Sequence, residues 1–306
     1  MPRPQADVVR DAWKAGVRYF WDPALRTHFM EEDPATRPTG EHGFWDAWNV
    51  VRQRTLLDPW RAENLARLLW EVRDVPGDIV ECGTWQGGMS VMMALLCRAW
   101  GVKKRVYMLD SFQGLPPPVP GVDKFHQAGW CQANHRDVVR FVIGAGVIES
   151  VEVRAGWFKD TLPALGEATF CLAHLDGDLY ESTRDCLEGL RDRVVTGGTI
   201  AVDDYHDSGE GVTRAVDEYL RETGDQLHLG PIPQVYIRVG QRAPRRRHGQ
   251  VVASTRDLQA NAPYVRMVRE VGTLTRRDAE ALERMSTLLA RRVRAPAPLA
   301  RRRGRR

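Results

Sequence analysis

The 306-residue sequence predicts an α/β fold with a doubly wound, mostly parallel sheet, preceded by a helical cap and followed by a basic extension. Three observations carry that reading. A short apolar stretch at 77–82 enters a glycine-rich turn and then a helical run at 91–100. A mostly apolar run at 168–175 ends in Asp176-Gly177-Asp178, and a β-branched run at 198–202 ends in Asp203-Asp204. Apolar runs of this length suit strands buried on both faces, and the helix-length segments between them suit right-handed crossovers.

In chain order, residues 1–70 form the cap, which holds six of the ten tryptophans: Trp13, Trp21, Trp45, Trp48, Trp60 and Trp70. Residues 46–60 and 61–72 read as helices. The tryptophans either stack on an acceptor, making the cap a lid, or fasten the cap to the core. The core spans 71–240. It opens on Glu81-Cys82-Gly83-Thr84-Trp85-Gln86-Gly87-Gly88, whose spacing departs from Gly-x-Gly-x-x-Gly and suits a cofactor without a pyrophosphate. A second strand, 105–110, ends in Asp110, placed to accept the ribose hydroxyls of an adenosine. A helix at 133–145, a strand at 151–155, a helix at 211–222 and a hairpin of 227–232 with 234–239 follow.

From residue 241 the character changes. The formal charge is +4 for the whole chain, yet residues 241–306 carry 18 Arg and no Lys against five acids, so residues 1–240 are net acidic. Thr275 and Asp278 imitate a capping box, and Leu274, Leu282, Met285, Leu288, Leu289 and Val293 share one helical face. This helix is expected to pack on the body or on another subunit, the latter giving a homo-oligomer. The five cysteines are scattered and never spaced as CxxC, reading as core residues of a reducing compartment. No apolar run approaches the ~20 residues of a membrane span. The opening residues hold no signal-peptide core, so a cytoplasmic location is expected.

Two neighbouring crossover-linked strands would bring Asp176, Asp178, Asp203 and Asp204 into one crevice at the carboxyl edge of the sheet. Such a cluster repels itself unless a hard divalent cation such as Mg²⁺ takes its oxygens. Aspartate also caps helices, so Asp176 and Asp178 could instead serve the following helix. His174, inside a buried strand, reads as a hydrogen-bonded structural residue, and His206 as a substrate contact.

Five motifs occur in the order seen in the macrocin O-methyltransferases: 81–88, Asp110-Ser111-Phe112-Gln113-Gly114-Leu115-Pro116, Gly156-Trp157-Phe158-Lys159-Asp160-Thr161-Leu162-Pro163, 175–183 and Asp203-Asp204-Tyr205. Residues 56–240 resemble that family of metal-dependent enzymes, which methylate sugar hydroxyls on antibiotics with S-adenosylmethionine. The resemblance implies the class I methyltransferase Rossmann-like sheet of seven strands, the last antiparallel. It also implies Asp176, Asp203 and Asp204 as Mg²⁺ ligands and Asp178 as general base. Glu81, Gly83, Gly87, Asp110 and Ser111 would hold the cofactor, with Gly156 and Trp157 near its adenine. The acceptor would be a glycosylated small molecule.

Two other readings compete. Asp-Gly-Asp also holds Mg²⁺ on phosphate in phosphoryl- and glycosyl-transfer enzymes, although aspartyl phosphatases place their motif on the first strand. The arginine-rich tail could bind RNA, but the body is acidic and no RNA-reading module is present. Nucleic acid and membrane are therefore not the expected partners.

Overall fold

The computed structural model describes residues 43–206, 211–242, 251–252 and 275–293; Trp13, Trp21, and the arginine runs 245–247 and 301–306 lie outside them. Helices α1 (Phe44–Val51) and α2 (Pro59–Val72) lead into β1 (Asp78–Cys82), α3 (Gly88–Ala99), β2 (Val106–Asp110), α4 (His135–Gly144) and β3 (Val151–Ala155). A one-turn helix α5 (Phe158–Thr161), β4 (Phe170–Leu175), α6 (Tyr180–Leu190), β5 (Val194–Val202), α7 (Gly211–Thr223), β6 (Asp225–Leu229) and β7 (Val235–Arg242) complete the core. The extension adds β8 (Val251–Val252) and α8 (Arg276–Val293).

The strand order is β3-β2-β1-β4-β5-β7-β6-β8. β1 to β5 run parallel and β7 lies antiparallel between β5 and β6, which is the expected seven-stranded arrangement; two-residue β8 extends it along β6. The chain order reverses at β1, between β2 and β4, and an α/β sheet opens its ligand crevice at such a switch point.

Each face of the sheet carries its own core. Val80, Leu175, Cys186, Leu187, Val216 and Leu220 pack on one side, joined by Ala281 and Leu282 of α8, so the extension's helix docks on the body through its first turns. Phe44, Trp48, Leu65, Leu69, Met92 and Met108 pack on the other, so both described cap helices belong to the core. Each such side chain gives roughly 1.5–3 kcal/mol on burial.

Several element boundaries depart from expectation: the helix expected at 91–100 begins at Gly88, the hairpin strands expected at 227–232 and 234–239 are Asp225–Leu229 and Val235–Arg242, and two further departures have a clear cause. The helices expected at 46–60 and 61–72 are broken at 52–58 instead, because Asp58 caps α2 by accepting from Trp60 N and Arg61 N, and Pro59 occupies the first helical position. β5 begins four residues earlier than expected, since Val194 pairs with Phe170 ahead of a register shift in β4. Among the described residues no helix is long and apolar enough to cross a membrane.

Candidate active site

Register sets the site. Glu81 of β1 lies opposite His174 of β4, Leu175 lies opposite both Cys82 and Val202, and Asp176 and Asp203 therefore leave their strands side by side. Asp176 N donates to Cys82 O (2.9 Å) and Asp203 N to Leu175 O (2.9 Å), which keeps the strand ends aligned one residue past the sheet.

Below this edge runs a buried chain of ionic hydrogen bonds. His174, wholly buried, bridges Glu81 Oε1 (2.9 Å, from Nδ1) and Asp203 Oδ2 (2.6 Å, from Nε2). Burial opposes its charge, but the bonds to Asp203 and Glu81 outweigh it and hold the imidazole well above its usual pKa. Each ring nitrogen faces a carboxylate oxygen, an arrangement that favours the protonated ring. Glu81 also accepts from Ser90 Oγ. Asp203, 1% exposed, further accepts from Gln234 Nε2 (3.0 Å) and from Arg61 Nη1 on Oδ1 (3.0 Å). Burial would raise its pKa, yet Arg61 and His174 hold it down to about 2. Arg61 in turn donates from Nε to Asp58 Oδ2 (2.8 Å), so one aspartate caps α2 and aims its arginine.

Above this layer Asp176, Asp178 and Asp204 line one cavity of about 700 Å³. Burial, then the charges of Asp203 and Asp178, push the Asp176 carboxyl well above its usual range. These acids are not helix caps: Leu179 at the N-cap of α6 has no side-chain cap bond, and the Tyr180 N–H goes to Asp123 Oδ1 (2.9 Å) from the β2–α4 loop. Asp178 (φ 60°) and Asp204 (φ 61°) sit in the left-handed region, as do Trp85 and Cys131 on the same cavity. Non-glycine residues held there cluster at functional sites. Together, Asp176, Asp203 and His174 bring potential ligand atoms within 4.8 Å of one another.

The other wall comes from the glycine turn. Gly83 (φ 89°) crosses so close to β4 that a Cβ would lie 1.9 Å from Asp176 O. Asp110 Oδ2 accepts from Thr84 N (2.9 Å) and Trp85 N (2.8 Å), and Oδ1 from Phe112 N (2.6 Å). Burial raises its pKa despite those three bonds. Asp110 thus shapes the turn while lining the cavity.

Of the residues singled out in the sequence, Glu81, Gly83, Asp110, Ser111, Gly156, Trp157, Asp176, Asp178 and Asp204 share this cavity. Gly87 caps α3 (φ 83°) behind the turn, against Met108 and Val138, and Asp203 lies beneath Asp204; neither lines it. The described cap tryptophans do not line it either: Trp48 stacks on Phe44 in the core and Trp70 packs on Trp100. His206 is likewise absent from the wall, its ring against Tyr205. Sequence reasoning missed Arg61, Asp123 and His126, whose Nε2 is 3.5 Å from Asp178 Oδ1. Asp58-Pro59 was a legible helix start that would have pointed to Arg61; nothing local marks His126.

Comparison with known proteins agrees with this geometry. The family described as macrocin-O-methyltransferase (TylF) matches residues 53–235. Demethyldecarbamoylnovobiocin O-methyltransferase of Streptomyces niveus is 36% identical over 220 residues, 67% of this chain and 81% of that protein. Mycinamicin III 3''-O-methyltransferase of Micromonospora griseorubida is 32% identical over 164 residues, 49% of this chain and 65% of that one. Among solved structures, the O-methyltransferase NovP superposes with a TM-score of 0.56 at 30% identity, over 78% of this chain and 100% of that chain. The calicheamicin methyltransferase CalS11, at 20% identity and a TM-score of 0.54, over 71% of this chain and 96% of that one, shares the fold. Fold, site and matched span agree, and the chain belongs to the macrocin O-methyltransferase family, as an S-adenosylmethionine-dependent O-methyltransferase with the class I fold.

Proposed function

We infer that this enzyme methylates a sugar hydroxyl, one of a vicinal pair, on a glycosylated natural product of antibiotic biosynthesis, with Mg²⁺ bound beside Asp178. The observation that carries the reading is the meeting of Asp176, Asp178 and Asp204 with Gly83, Asp110 and Gly156 on one cavity. The relatives named above, whose names give demethyldecarbamoylnovobiocin and mycinamicin III as what they methylate, support the acceptor class.

The residues fit a hard cation. Asp176 and Asp204 offer carboxylate oxygens to the cavity, and Asp176 carries a charge that burial and its acidic neighbours disfavour. Asp203, beneath Asp204, accepts from His174 and Gln234 on Oδ2 and from Arg61 on Oδ1, and would reach the same cation only with a remaining lone pair. A cation held by these three would supply Lewis acidity, lowering the pKa of a bound hydroxyl. The residues also fit S-adenosylmethionine: Glu81, Asp110 and Ser111 line the cavity with acceptors beside the glycine turn, and Gly156 and Trp157, on the same wall, would flank its adenine. Bound there, S-adenosylmethionine would supply the electrophilic methyl.

The chain's own residues then have separate tasks. Asp178 takes the hydroxyl proton, its carboxylate held over the cavity by a left-handed backbone and faced by His126. Ser90 and His174 fix Glu81 from behind, so the cofactor-side acceptor is aligned before binding. Met89, Trp85 and Phe158 line the wall and exclude water around the reacting atoms.

Mass spectrometry after incubation with S-adenosylmethionine, Mg²⁺ and a panel of glycosylated natural products tests the reading. One added methyl on the sugar is expected, lost in EDTA while cofactor binding persists. Full-rate methylation in EDTA overturns the metal assignment.

A further inference from the structure

Asp178 occupies a backbone position that its own turn does not hold. Gly177 O accepts from Leu179 N (2.6 Å) across Asp178, whose φ is 60°. A three-residue turn closed at positive φ is the rare, strained form, and it persists only where the surroundings over-determine it. On the N-terminal side the sheet does so, since Asp176 N donates to Cys82 O (2.9 Å). On the other side the helix gives no such support, because Leu179 stands at the N-cap of α6 and its side chain cannot accept.

Asp123 brings the missing acceptor from another part of the chain. Its Oδ1 takes the Tyr180 N–H (2.9 Å), two residues beyond Asp178, and its Oδ2 takes the Val119 N–H (2.8 Å) of its own loop. At 7% exposure, water competes little for either bond. Val122 N and Asp123 N both donate to Val119 O (3.1 and 3.0 Å), closing a tight turn beneath the carboxylate. A third element seals the contact: a Cβ on Gly211, the first residue of α7, would lie 2.0 Å from Asp123 Oδ1 and 3.0 Å from Tyr180 N. Three residues after Asp123, His126 brings Nε2 to 3.5 Å from Asp178 Oδ1. The anchored loop thus meets Asp178 twice, through the backbone that follows it and at its carboxylate.

We propose that Asp123 is a positioning residue for methyl transfer: by holding the Tyr180 amide it keeps the Asp178 carboxylate where it can take the hydroxyl proton. This rests on the reading of Asp178 as the base given above. Asp123 is not among the described residues that line the cavity, so its effect passes through Asp178 and leaves the cofactor's contacts alone. A reacting group misplaced by about 1 Å costs about 10²-fold in rate, which sets the scale of the effect.

The test measures Asp123→Ala and Gly211→Ala in the full chain, each alone and combined with Asp178→Asn, with S-adenosylmethionine and Mg²⁺ on the panel of glycosylated natural products. The two variants reach one contact by different routes. Asp123→Ala removes the acceptor, whereas Gly211→Ala keeps the charge, favours the helix and pushes the carboxylate off Tyr180 N. Both should lower kcat about 10- to 100-fold at a temperature where the protein is folded, with acceptor KM and cofactor affinity level. Neither should lower kcat further once Asp178 is Asn, since a group that acts through the base has nothing left to position. Asp123→Asn keeps an oxygen for Tyr180 N and should return kcat to within about 3-fold of the wild type. Hydrogen exchange read by mass spectrometry over residues 176–183 should find the Tyr180 amide deprotected in both alanine variants. Should Asp123→Ala not fold, Gly211→Ala decides the question. Wild-type kcat in the folded variants, or equal losses with and without the Asp178 carboxylate, overturns the positioning role alone. Methyl transfer to no member of the panel, by wild type that binds the cofactor, overturns the sugar reading and this inference with it.

Discussion

Arg61→Met removes the guanidinium that ties the cap helix to the acidic edge of the sheet. In the wild type it donates to Asp58 (2.8 Å), Asp203 (3.0 Å) and Leu56 O (3.3 Å) at 5% exposure. Methionine keeps most of the stem volume, so the loss is chiefly electrostatic. Asp58 retains its two backbone donors and Asp203 retains His174 and Gln234, which limits the damage to the ~3–5 kcal/mol of a broken buried pair. Urea unfolding at neutral pH of the wild type, Arg61→Met, Asp203→Asn and the double variant measures the coupling. The double variant should be less destabilised than the sum of the singles by about 2 kcal/mol, because the cost of leaving Arg61 and Asp203 without each other is then counted once and not twice. Free energies that add to within ~0.5 kcal/mol would show that the two groups do not act as a pair, and the proposed charge architecture would fall.

Four further outcomes follow from the same geometry. Asp176→Asn should raise the melting temperature of metal-free protein, because the carboxyl it replaces is held well above its usual pKa and ionises at a cost; Mg²⁺ should stabilise wild type but not this variant, and a lower melting temperature would contradict the cluster's repulsion. Asp178→Asn should cut turnover by roughly 10²–10⁴-fold while cofactor affinity, read by calorimetry, stays level; unchanged turnover removes Asp178 as the base. Gly83→Ala meets Asp176 O at 1.9 Å at a φ of 89°, so calorimetry should find cofactor binding lost or the protein insoluble, and wild-type affinity would refute the close crossing. Acid should weaken the fold through Asp203: its folded pKa of about 2 lies below the unfolded value near 4, so its roughly 2–3 kcal/mol is present above pH 4 and vanishes as pH falls toward 2. Urea midpoints measured from pH 5 to pH 2 should converge between wild type and Asp203→Asn.

The strand ends were legible because their information is local. An apolar run that stops at an acid marks a buried strand leaving the sheet, and 151–155 was readable to the residue as β3. Repeating that pattern at Asp110, Asp176 and Asp203 placed three acids on one edge, and the glycine spacing after Glu81 placed the turn beside them. The capping box of Thr275 with Asp278 was readable for the same reason, its partners lying three residues apart.

What sequence could not supply was partnership across the fold. His174 read as a structural histidine, but only the register of three strands places it between Glu81 and Asp203. Arg61 reaches Asp203 across 142 positions of sequence, and no local pattern encodes which buried acid a buried arginine will neutralise. The aromatic question turned out the same way. Tryptophans are conspicuous in the cap, yet the described ones do not line the cavity, and its mouth is furnished by Phe125 and Trp130 from a loop with no periodic signal. The sequence by itself determined the strands, the turn and the acids at their ends, since hydrophobic period and turn chemistry act over a few residues. The tertiary structure decided which charges are compensated, which acids face the cavity and which rings surround it, since burial and Coulomb partners depend on distances that only the packed sheet creates.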